Sequence, residues 1–548
     1  MLLVDEGNRS EADLVKRVFE LDPIMGTQLG IAGEHDGRLP PADSATRDAL
    51  LADLVHFCGL FDQVGAQTSV DDLIDQQLAV SGVRSMQVFN SSLRTHERSP
   101  NWYLETAMSA LNSLLIRSDM PMEEKANRIS QRLDAIPAHF AVGKAQIRRP
   151  PSVLLETALG DIPGAIKFCH DSLAEFITLV ENRAAQDHLR HQQRACLEGL
   201  RDFDAYLRGQ SEHSVADFAI GTDAFDALLA ASLVPHDADA LFEMGERMAS
   251  DLERDLEEIS LRTANRPEWW LTLEALAAHH PTRAGLLADY KQMVDDARTF
   301  LEERELVDLT PSGALDMLPT PAFARTNLAF AAYMPAPPFA ENGRAQFWVT
   351  PIAEELSNSQ AEDALRQHHL GRVLIASVHE AYPGHHVQFS HALKVRRPLR
   401  YIFSSTVFVE GWGLYSEELM LREGFKDEDP RFDLLHMSQI RDQLWRALRI
   451  VLDVGLHCKG MSQEEATDLL VRKHILDRQS AAAEVMYYCS APTQPMSYMV
   501  GKLLIEALIE KCRASQNERF QSLSQIHNEL LAHGSLPVPL LERALGLA

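Results

Sequence analysis

Seven prolines within residues 311–351 separate two long stretches of helical periodicity. Proline lacks a backbone N–H and clashes with the preceding helical turn, so no regular helix can run through this segment. The runs "ARTNLAFAAYM" and "RAQFWVTP" between the prolines favour extended strands. We therefore predict a mainly α-helical fold, with an N-terminal helical region at 1–310 and a second region at 311–548. The second region combines the strand-and-loop insert with a helical part at 362–548.

The composition argues against two classes of partner. The 548 residues include 79 acidic and 52 basic side chains, and the net charge is −27, so no basic surface for nucleic acid is expected. Apolar residues make up 45% and charged residues 24%, as in ordinary globular proteins. The sequence contains no run of 18 apolar residues, the length that would indicate a membrane span. We expect neither a nucleic-acid nor a membrane partner, and the oligomeric state stays open.

The N-terminus and the cysteines together predict a cytoplasmic protein. The opening "MLLVDEGNRSEADLV" has no basic n-region and lacks the apolar stretch of about 7–15 residues that a signal peptide needs. The six cysteines are scattered and form no C-x-x-C pair, as expected for reduced thiols.

The segment "GRVLIASVHEAYPGHHVQF" places an adjacent histidine and glutamate, His379 and Glu380, near the end of an apolar helix. Burying such a pair is costly unless both residues are used. His-Glu opens the zinc-peptidase motif His-Glu-x-x-His, in which histidines bind the metal and the glutamate is the general base. The fifth position here is Pro383, and two histidines follow at 385 and 386.

Pro383 requires a break in this helix, and Gly384 permits the distortion. On an unbroken helix, His385 would be rotated by about 240° from His379, and His386 would lie about 10 Å along the axis. A looped-out segment could bring either histidine to the position of the missing ligand. We predict a helix break near Pro383, with His385 and His386 both open as the second metal ligand.

Glu410 is the candidate third ligand, in the segment "STVFVEGWGLYSEEL". It follows His385 by 25 residues and His386 by 24, which allows a helix, a turn and a returning helix. Glu417 lies seven residues further on, about two turns along the same face. We predict that Glu417 orients a metal ligand.

A second cluster is predicted to stabilise the oxyanion of a hydrolytic reaction. Asp453 and His457 stand at i, i+4 in "RIVLDVGLHCKG". The segment "YYCSAPTQPMSYMVGK" carries Tyr487, Tyr488, Gln494 and Tyr498. An oxyanion beside a metal needs hydrogen-bond donors, so Tyr498 and His457 are predicted as catalytic groups. Asp453 is predicted as a supporting group, and Gln494 and Tyr488 as substrate contacts.

The pair "HEAYPGHHVQ" and "VEGWGLYSEE" resembles the bacterial family known as domain of unknown function 885. That family is grouped with the gluzincin zinc metallopeptidases. The motif region is also similar to thimet oligopeptidase and angiotensin-converting enzyme, nearly all-helical peptidases with a deep channel. Gln494, Tyr498 and Gly501 match the family's late loop, whereas Met499 stands where a lysine is expected. The resemblance, strongest over 330–510, implies a hydrolase with one zinc ion that acts on peptides.

We therefore expect a zinc-dependent hydrolase that cleaves peptide or related amide bonds in a cleft between helical halves. The small β element should lie near this cleft, where an edge strand can pair with an extended peptide. Two alternatives stay open: a non-catalytic binding or scaffold protein with a degenerate metallopeptidase fold, and an amide hydrolase for a non-peptide metabolite. Glu380 favours an enzyme, because a pseudoenzyme often loses its general base. The cleavage mode is not defined by the sequence.

Overall fold

The structure is a computed structural model. It describes residues 9–61, 69–117, 119–321, 324–325, 328 and 330–547.

The fold is mainly α-helical, as predicted. Among the described residues, none of the helices has both the length and the apolar character needed to cross a membrane. Along the chain the α-helices are α1 Arg9–Leu21, α2 Pro23–Gln28, α3 Ser44–Phe61, α4 Val70–Gln87, α5 Thr95–Arg98, α6 Pro100–Leu115, α7 Met122–Gln146, α8 Ser152–His170, α9 Ser172–Leu179, α10 Arg183–Gly209, α11 Thr222–Ala231, α12 Ala238–Ala264, α13 Trp269–Leu273, α14 Leu286–Arg304, α15 Asn358–Arg366, α16 Leu370–Glu380, α17 His385–Ala392, α18 Leu399–Ile402, α19 Thr406–Arg422, α20 Phe432–Cys458, α21 Gln463–Arg472, α22 Arg478–Ser490, α23 Ser497–Ala514, α24 Leu523–Leu531 and α25 Val538–Leu545.

The chain forms two compact units. Unit 1 comprises Met1–Ala231 with two short later segments, Pro337–Gly343 and Tyr401–Phe403. Unit 2 comprises the remaining residues from Ser232 to Ala548. The predicted boundary at residue 310 falls inside unit 2, and every candidate site residue belongs to that unit.

The core of unit 1 is built around aromatic side chains. Phe140 of α7 stacks on Phe203 of α10, with ring centroids 5.0 Å apart. Tyr103 of α6 is fully buried, and its hydroxyl donates to the carbonyl oxygen of His96 at 2.7 Å. Burial of large rings, with the one polar group satisfied, gives the packing energy of such a core.

Unit 2 contains the small sheet that the proline-rich segment predicts. Its strands are β1 Leu315–Pro319, β2 Ala331–Met334 and β3 Ala345–Val349, in the order β1-β3-β2. Central β3 pairs in parallel with β1 and antiparallel with β2. The run "ARTNLAFAAYM" is described only in part, and its strand begins at Ala331. The predicted β element is confirmed, and β2 lies at one edge of the sheet.

Helices α19 and α23 approach so closely that two glycines are needed where they meet. A Cβ atom on Gly501 of α23 would lie 1.8 Å from the carbonyl oxygen of Val407. A Cβ on Gly411 of α19 would lie 2.5 Å from the Cα of Gly501. Backbone therefore packs directly on backbone. This contact sets Tyr498, one turn before Gly501, beside the helix that carries Glu410.

Gly501→Ala should destabilise the protein, because the added methyl group overlaps a backbone carbonyl that cannot rotate away. Overpacking of this kind lowers the free energy of unfolding by about 1–3 kcal/mol. Thermal and denaturant unfolding of the full chain would measure the loss. Gly160→Ala is the matched control, because Gly160 lies within α8 with open space around its Cα. Equal stability of the two variants would contradict the proposed close contact.

Candidate metal centre

The helix that carries the motif breaks where Pro383 requires it. α16 ends at Glu380, α17 begins at His385, and the Tyr382–Pro383 peptide bond between them is cis. The N–H of Gly384 donates to the carbonyl oxygen of Val378 at 3.1 Å. A Cβ on Gly384 would lie 1.9 Å from the carbonyl oxygen of His379, so only glycine fits this turn. The predicted break is therefore present.

Trp412 anchors this turn to α19. Its indole N–H donates to the carbonyl oxygen of Pro383 at 2.9 Å, and its side chain is fully buried. A buried indole usually finds such a partner. The broken segment is thus fixed against the helix that carries Glu410, rather than left as a free loop.

The break brings His385, and not His386, to His379. Their ring centroids are 4.6 Å apart, with the rings nearly perpendicular at 83°. Glu410 completes the group: its Oε2 lies 3.5 Å from Nε2 of His379 and 3.7 Å from Nε2 of His385. One atom from each of the three residues lies within 4.8 Å of the others. Both histidines are buried.

The spacing and chemistry of these three side chains fit a zinc ion. Zinc bonds to imidazole nitrogen and carboxylate oxygen are about 2.0–2.2 Å long. In tetrahedral geometry, two ligand atoms are then about 3.4 Å apart. The observed separations of 3.5 and 3.7 Å are close to that value, and longer than good hydrogen bonds. Two histidines and one carboxylate also form a known catalytic zinc ligand set, which leaves a fourth position open.

Glu417 fixes the orientation of the His379 ring. Its Oε1 lies 2.8 Å from Nδ1 of His379, and the carboxylate is fully buried. When Nδ1 donates its proton to this carboxylate, Nε2 is directed toward Glu410. Gly413 makes room for the ring, since a Cβ there would lie 2.5 Å from it. The structure thus places Glu417 as the sequence predicts for a group that orients a ligand.

The charges of the centre stabilise one another. Burial lowers the pKa of His379, but the carboxylates of Glu410 and Glu417 outweigh burial and raise it to about 10. Burial raises the pKa of Glu410, but His379 and His385 outweigh this effect and hold it well below its usual range. At neutral pH, His379 in the metal-free centre is therefore positively charged, with both ring nitrogens protonated, and Glu410 is ionised.

His386, predicted as an alternative ligand, does not belong to this group. Its Nδ1 lies 3.3 Å from the hydroxyl of Tyr333, and its Nε2 lies 3.1 Å from the carbonyl oxygen of Gly313. Both ring nitrogens thus contact the segment 311–351, which contains the sheet. The physical reason is that consecutive residues at the start of α17 point about 100° apart. Only His385 can face His379.

Glu380 lies at the open edge of the sheet. Its Oε2 accepts a hydrogen bond from the backbone N–H of Tyr333 in β2 at 3.0 Å. In an antiparallel pair, alternate residues direct their backbone groups away from the partner strand. Tyr333 is such a residue, so its N–H points outward to Glu380. The carboxylate is therefore held between the candidate metal centre and an edge strand.

Tyr498, predicted to stabilise an oxyanion, packs beside the candidate metal ligands. Its ring stacks on that of His379, with centroids 6.3 Å apart and an angle of 29°. Burial, with a smaller contribution from Glu410, raises the pKa of Tyr498 to about 12, so the phenol keeps its proton at neutral pH. Gln494, predicted as a substrate contact, lies near the Tyr498 side chain and slightly lowers its pKa.

Three other predicted site residues, Asp453, His457 and Tyr488, are buried and hydrogen-bonded within the protein interior. His457 Nε2 lies 3.0 Å from the carbonyl oxygen of Tyr488, and Asp453 accepts from the backbone N–H of Thr493 at 3.2 Å. Burial raises the pKa of Asp453 well above its usual range. Asp453 thus contacts the loop before α23 and His457 contacts α22, and the structure does not bring His457 to the candidate metal ligands.

The prediction of Tyr488 as a substrate contact needs the same correction. Its side chain is fully buried, and its hydroxyl accepts from Trp445 at 3.1 Å and from Arg449 at 3.0 Å. The preceding residue, Tyr487, is 42% exposed instead. The two tyrosines are adjacent on a helix and face different directions, which the sequence alone did not resolve.

The structure also adds two arginines that the sequence reasoning missed. The guanidinium groups of Arg446 and Arg449 lie 5.8 and 5.1 Å from the centroid of the Tyr498 ring. Both belong to "LWRALRIVLDVGLHC", a segment that the sequence indicates is buried. Charges within a buried helix are costly unless used. That signal, already applied to His379 and Glu380, could have found them.

Comparisons with known proteins agree with this fold. A model of the family of bacterial proteins of unknown function DUF885 matches residues 23–545. A "putative lipoprotein of unknown function" from Shewanella oneidensis is similar over 100% of both chains, with 21% identity and a TM-score of 0.83. A "putative lipoprotein" from Colwellia psychrerythraea is similar over 99% of each chain, with 16% identity and a TM-score of 0.82. No curated protein matches the chain.

At these identities the solved structures show the fold alone. The cytoplasmic location stays a prediction, since residues 1–8, on which it partly depends, lie outside the described part of the chain.

The placement of the two neighbouring histidines makes a sharp prediction. His385→Asn should lose most bound metal, because it removes a ligand nitrogen, whereas His386→Asn should keep it. Elemental analysis after dialysis against a low concentration of zinc would measure the metal per chain. Thermal unfolding would check that both variants fold. Loss of metal from the His386 variant alone would reverse the assignment.

Zinc uptake should release a proton from His379. Its pKa of about 10 means that His379 is protonated at pH 7, and a histidine must be neutral to bind a metal. The apparent zinc affinity should therefore rise with pH, by about tenfold per pH unit between pH 7 and 8. Titration calorimetry in buffers of different ionisation enthalpy would count the proton. A binding enthalpy that is the same in every buffer would contradict this protonation state.

Proposed function

The chain belongs to the family of bacterial proteins of unknown function DUF885, and we propose that it is a zinc-dependent hydrolase of peptide or related amide bonds. One observation carries the proposal: His379, His385 and Glu410 converge within 4.8 Å, with Glu380 next to the first ligand. The proposed assignment to the gluzincin type of metallopeptidase rests on the same residues, with both histidines from one broken helix and the glutamate from a later one.

His379, His385 and Glu410 would hold the ion, and the hydrogen bond from His379 to Glu417 would keep the first ligand oriented. When bound, zinc polarises a carbonyl group and lowers the pKa of its water to about 7. The remaining chemistry belongs to the side chains around it.

Glu380 is the proposed general base. It is adjacent to His379 and therefore points about 100° away around the helix axis, outside the ligand set. The N–H of Tyr333 fixes its Oε2, so the carboxylate does not have to be ordered during the reaction. It would take a proton from the attacking water and hold it for the leaving amine.

Tyr498 is the proposed donor to the developing oxyanion. Its raised pKa keeps the hydroxyl proton at neutral pH, which a hydrogen-bond donor needs. The stacked position beside His379 sets the ring at the edge of the ligand group.

Strand β2 is the proposed binding site for an extended peptide. Its outer edge carries backbone groups that β3 does not use, and Glu380 lies at that edge. Main-chain pairing with an edge strand binds a peptide without requiring a particular side chain. This arrangement favours a peptide over a compact metabolite as the substrate.

A peptide-library digest with mass-spectrometric readout would test the activity. Zinc-loaded protein should cleave peptides, and a chelator should abolish cleavage, which added zinc restores. No cleavage by fully zinc-loaded protein would overturn the proposed function. Cleavage that resists removal of the metal would show that another site is responsible.

Glu380→Gln separates the base from the ligands. The amide keeps the size of the side chain but cannot accept the proton, so the rate should fall by about 10²–10⁴. Zinc content should stay at the wild-type level, since Glu380 lies outside the ligand group. His379→Ala and Glu410→Ala should instead lose zinc and activity together. A Glu380 variant that retains most activity, or that loses zinc as fully as these two, would refute the assigned role.

A further inference from the structure

A group of four largely buried arginines, with side-chain exposures of 10–19%, extends to the candidate metal centre, and the hydrolytic steps above do not use it. Three of its members come from α20 and one from α16. Three of them converge on Asp442, which is itself buried, and the fourth, Arg449, pairs with Glu484. The four arginines are Arg372, Arg441, Arg446 and Arg449.

The positive charges of this group exceed its negative charges. Asp442 is shared: an oxygen lies 2.5 Å from Arg441, and Oδ2 lies 3.8 Å from Arg446 and 3.9 Å from Arg372. Arg449 pairs with Glu484 at 3.1 Å. Within the described part of the chain, the ion pairs of these four cations thus involve two carboxylates. Burial of uncompensated charge is costly, so an excess of about two cations requires a reason.

Asp442 cannot relieve this imbalance by changing its protonation. Burial raises its pKa, but Arg372, Arg441 and Arg446 outweigh burial and hold the pKa far below its usual range. The carboxylate is already ionised. The excess also contrasts with the chain as a whole, whose net charge is −27. The positive potential is therefore a local property of this site.

Arg446 is the member with the weakest partners. Its Nε is buried and, in the described structure, has no hydrogen-bond partner. Its Nη1 reaches the carbonyl oxygen of Asp442 at only 3.4 Å. A guanidinium group carries five N–H donors, so much of its capacity is unused. About 12% of the side chain remains accessible.

The position of Arg446 relates it to the reaction site. Its guanidinium carbon lies 5.8 Å from the centroid of the Tyr498 ring, which in turn lies 6.3 Å from the ring of His379. An extended peptide advances about 3.3–3.6 Å per residue. At most about 12 Å therefore separates the His379 ring from the guanidinium group of Arg446, a span of roughly three extended residues.

We propose that Arg446 binds a carboxylate of the substrate, within about three residues of the bond that is cleaved. This inference rests on the proposed hydrolase function. Guanidinium and carboxylate pair in a planar, two-pronged geometry. Arg446 can offer it through Nη1 and Nη2, because the hydrogen bond from Nη1 to the carbonyl oxygen of Asp442 is long, at 3.4 Å. The carboxylate is either the free C-terminus of a short peptide or the side chain of an acidic residue. In both cases the substrate class is the anionic peptide.

Three peptides distinguish these sources: acetyl-trialanine as the free acid, the same peptide as its C-terminal amide, and an amide whose third residue is glutamate. Calorimetry on the metal-free full chain measures their binding, and zinc-loaded protein measures their hydrolysis. Tighter binding of the free acid than of the neutral amide indicates a C-terminal carboxylate. Preference for the glutamyl amide indicates a side-chain carboxylate. Equal binding of all three overturns the proposal.

Arg446→Met should weaken binding of the preferred anionic peptide by roughly 10- to 100-fold, the effect of losing hydrogen bonds to a charged group. Binding of the neutral amide and zinc content should not change. Arg446→Lys keeps the positive charge but not the planar pair of donors, so its loss of affinity should be intermediate. This variant still tests the proposal if the methionine variant fails to fold. Arg478→Met is the control, because Arg478 is 63% exposed on α22.

Equal affinity of wild type and both Arg446 variants for the anionic peptide refutes the role of Arg446. Failure of the proposed function looks different, because zinc-loaded wild type would then hydrolyse none of the three peptides while their binding still differed.

Discussion

The buried hydrogen bond between His379 and Glu417 is the interaction on which the centre depends. A carboxylate with no access to water is stable only if a partner compensates its charge, and His379 is that partner. The same bond holds the imidazole against α19, where Gly413 leaves space for the ring. The orientation of the ring then sets the direction of Nε2, and with it the position that Glu410 must occupy. This contact therefore sets the position of His379 on α16 relative to Glu410 on α19.

Three further contacts bring segments that are distant in sequence to the candidate metal centre. Trp412 binds the turn at Pro383, so the second histidine lies opposite the first. Gly501 allows α23 to touch the backbone of α19, so Tyr498 reaches the same place. The N–H of Tyr333 joins the sheet to Glu380. Each contact involves backbone, and backbone positions adjust less than side chains. The site is therefore rigid because of where the main chain lies.

Local physical rules in the sequence predict much of this arrangement. Seven prolines make a continuous helix unfavourable in the insert, and Pro383 with Gly384 favours the helix break. Helical periodicity predicts that Glu410 and Glu417 share a face. The choice between His385 and His386 does not follow, because the path of a looped-out turn depends on the tertiary contact with Trp412. In the same way, Tyr487 and Tyr488 differ in burial only through the packing of α22 against α20, which no local pattern encodes.

The bond between Glu380 and Tyr333 also restricts how a chain could align with the sheet. On the outer edge of β2, the residues with free backbone groups alternate, so Ala331 and Tyr333 are the two that face outward. The N–H of Tyr333 is already engaged by Glu380. An incoming strand could thus pair with Ala331 and with the carbonyl oxygen of Tyr333. To pair with the N–H of Tyr333 as well, it would have to displace the carboxylate of Glu380. Sliding by one residue would reverse which side chains face the sheet, and sliding by two would reach the end of a four-residue strand. Alignment is therefore fixed by the shortness of the edge and by one occupied donor, independently of the sequence that binds there.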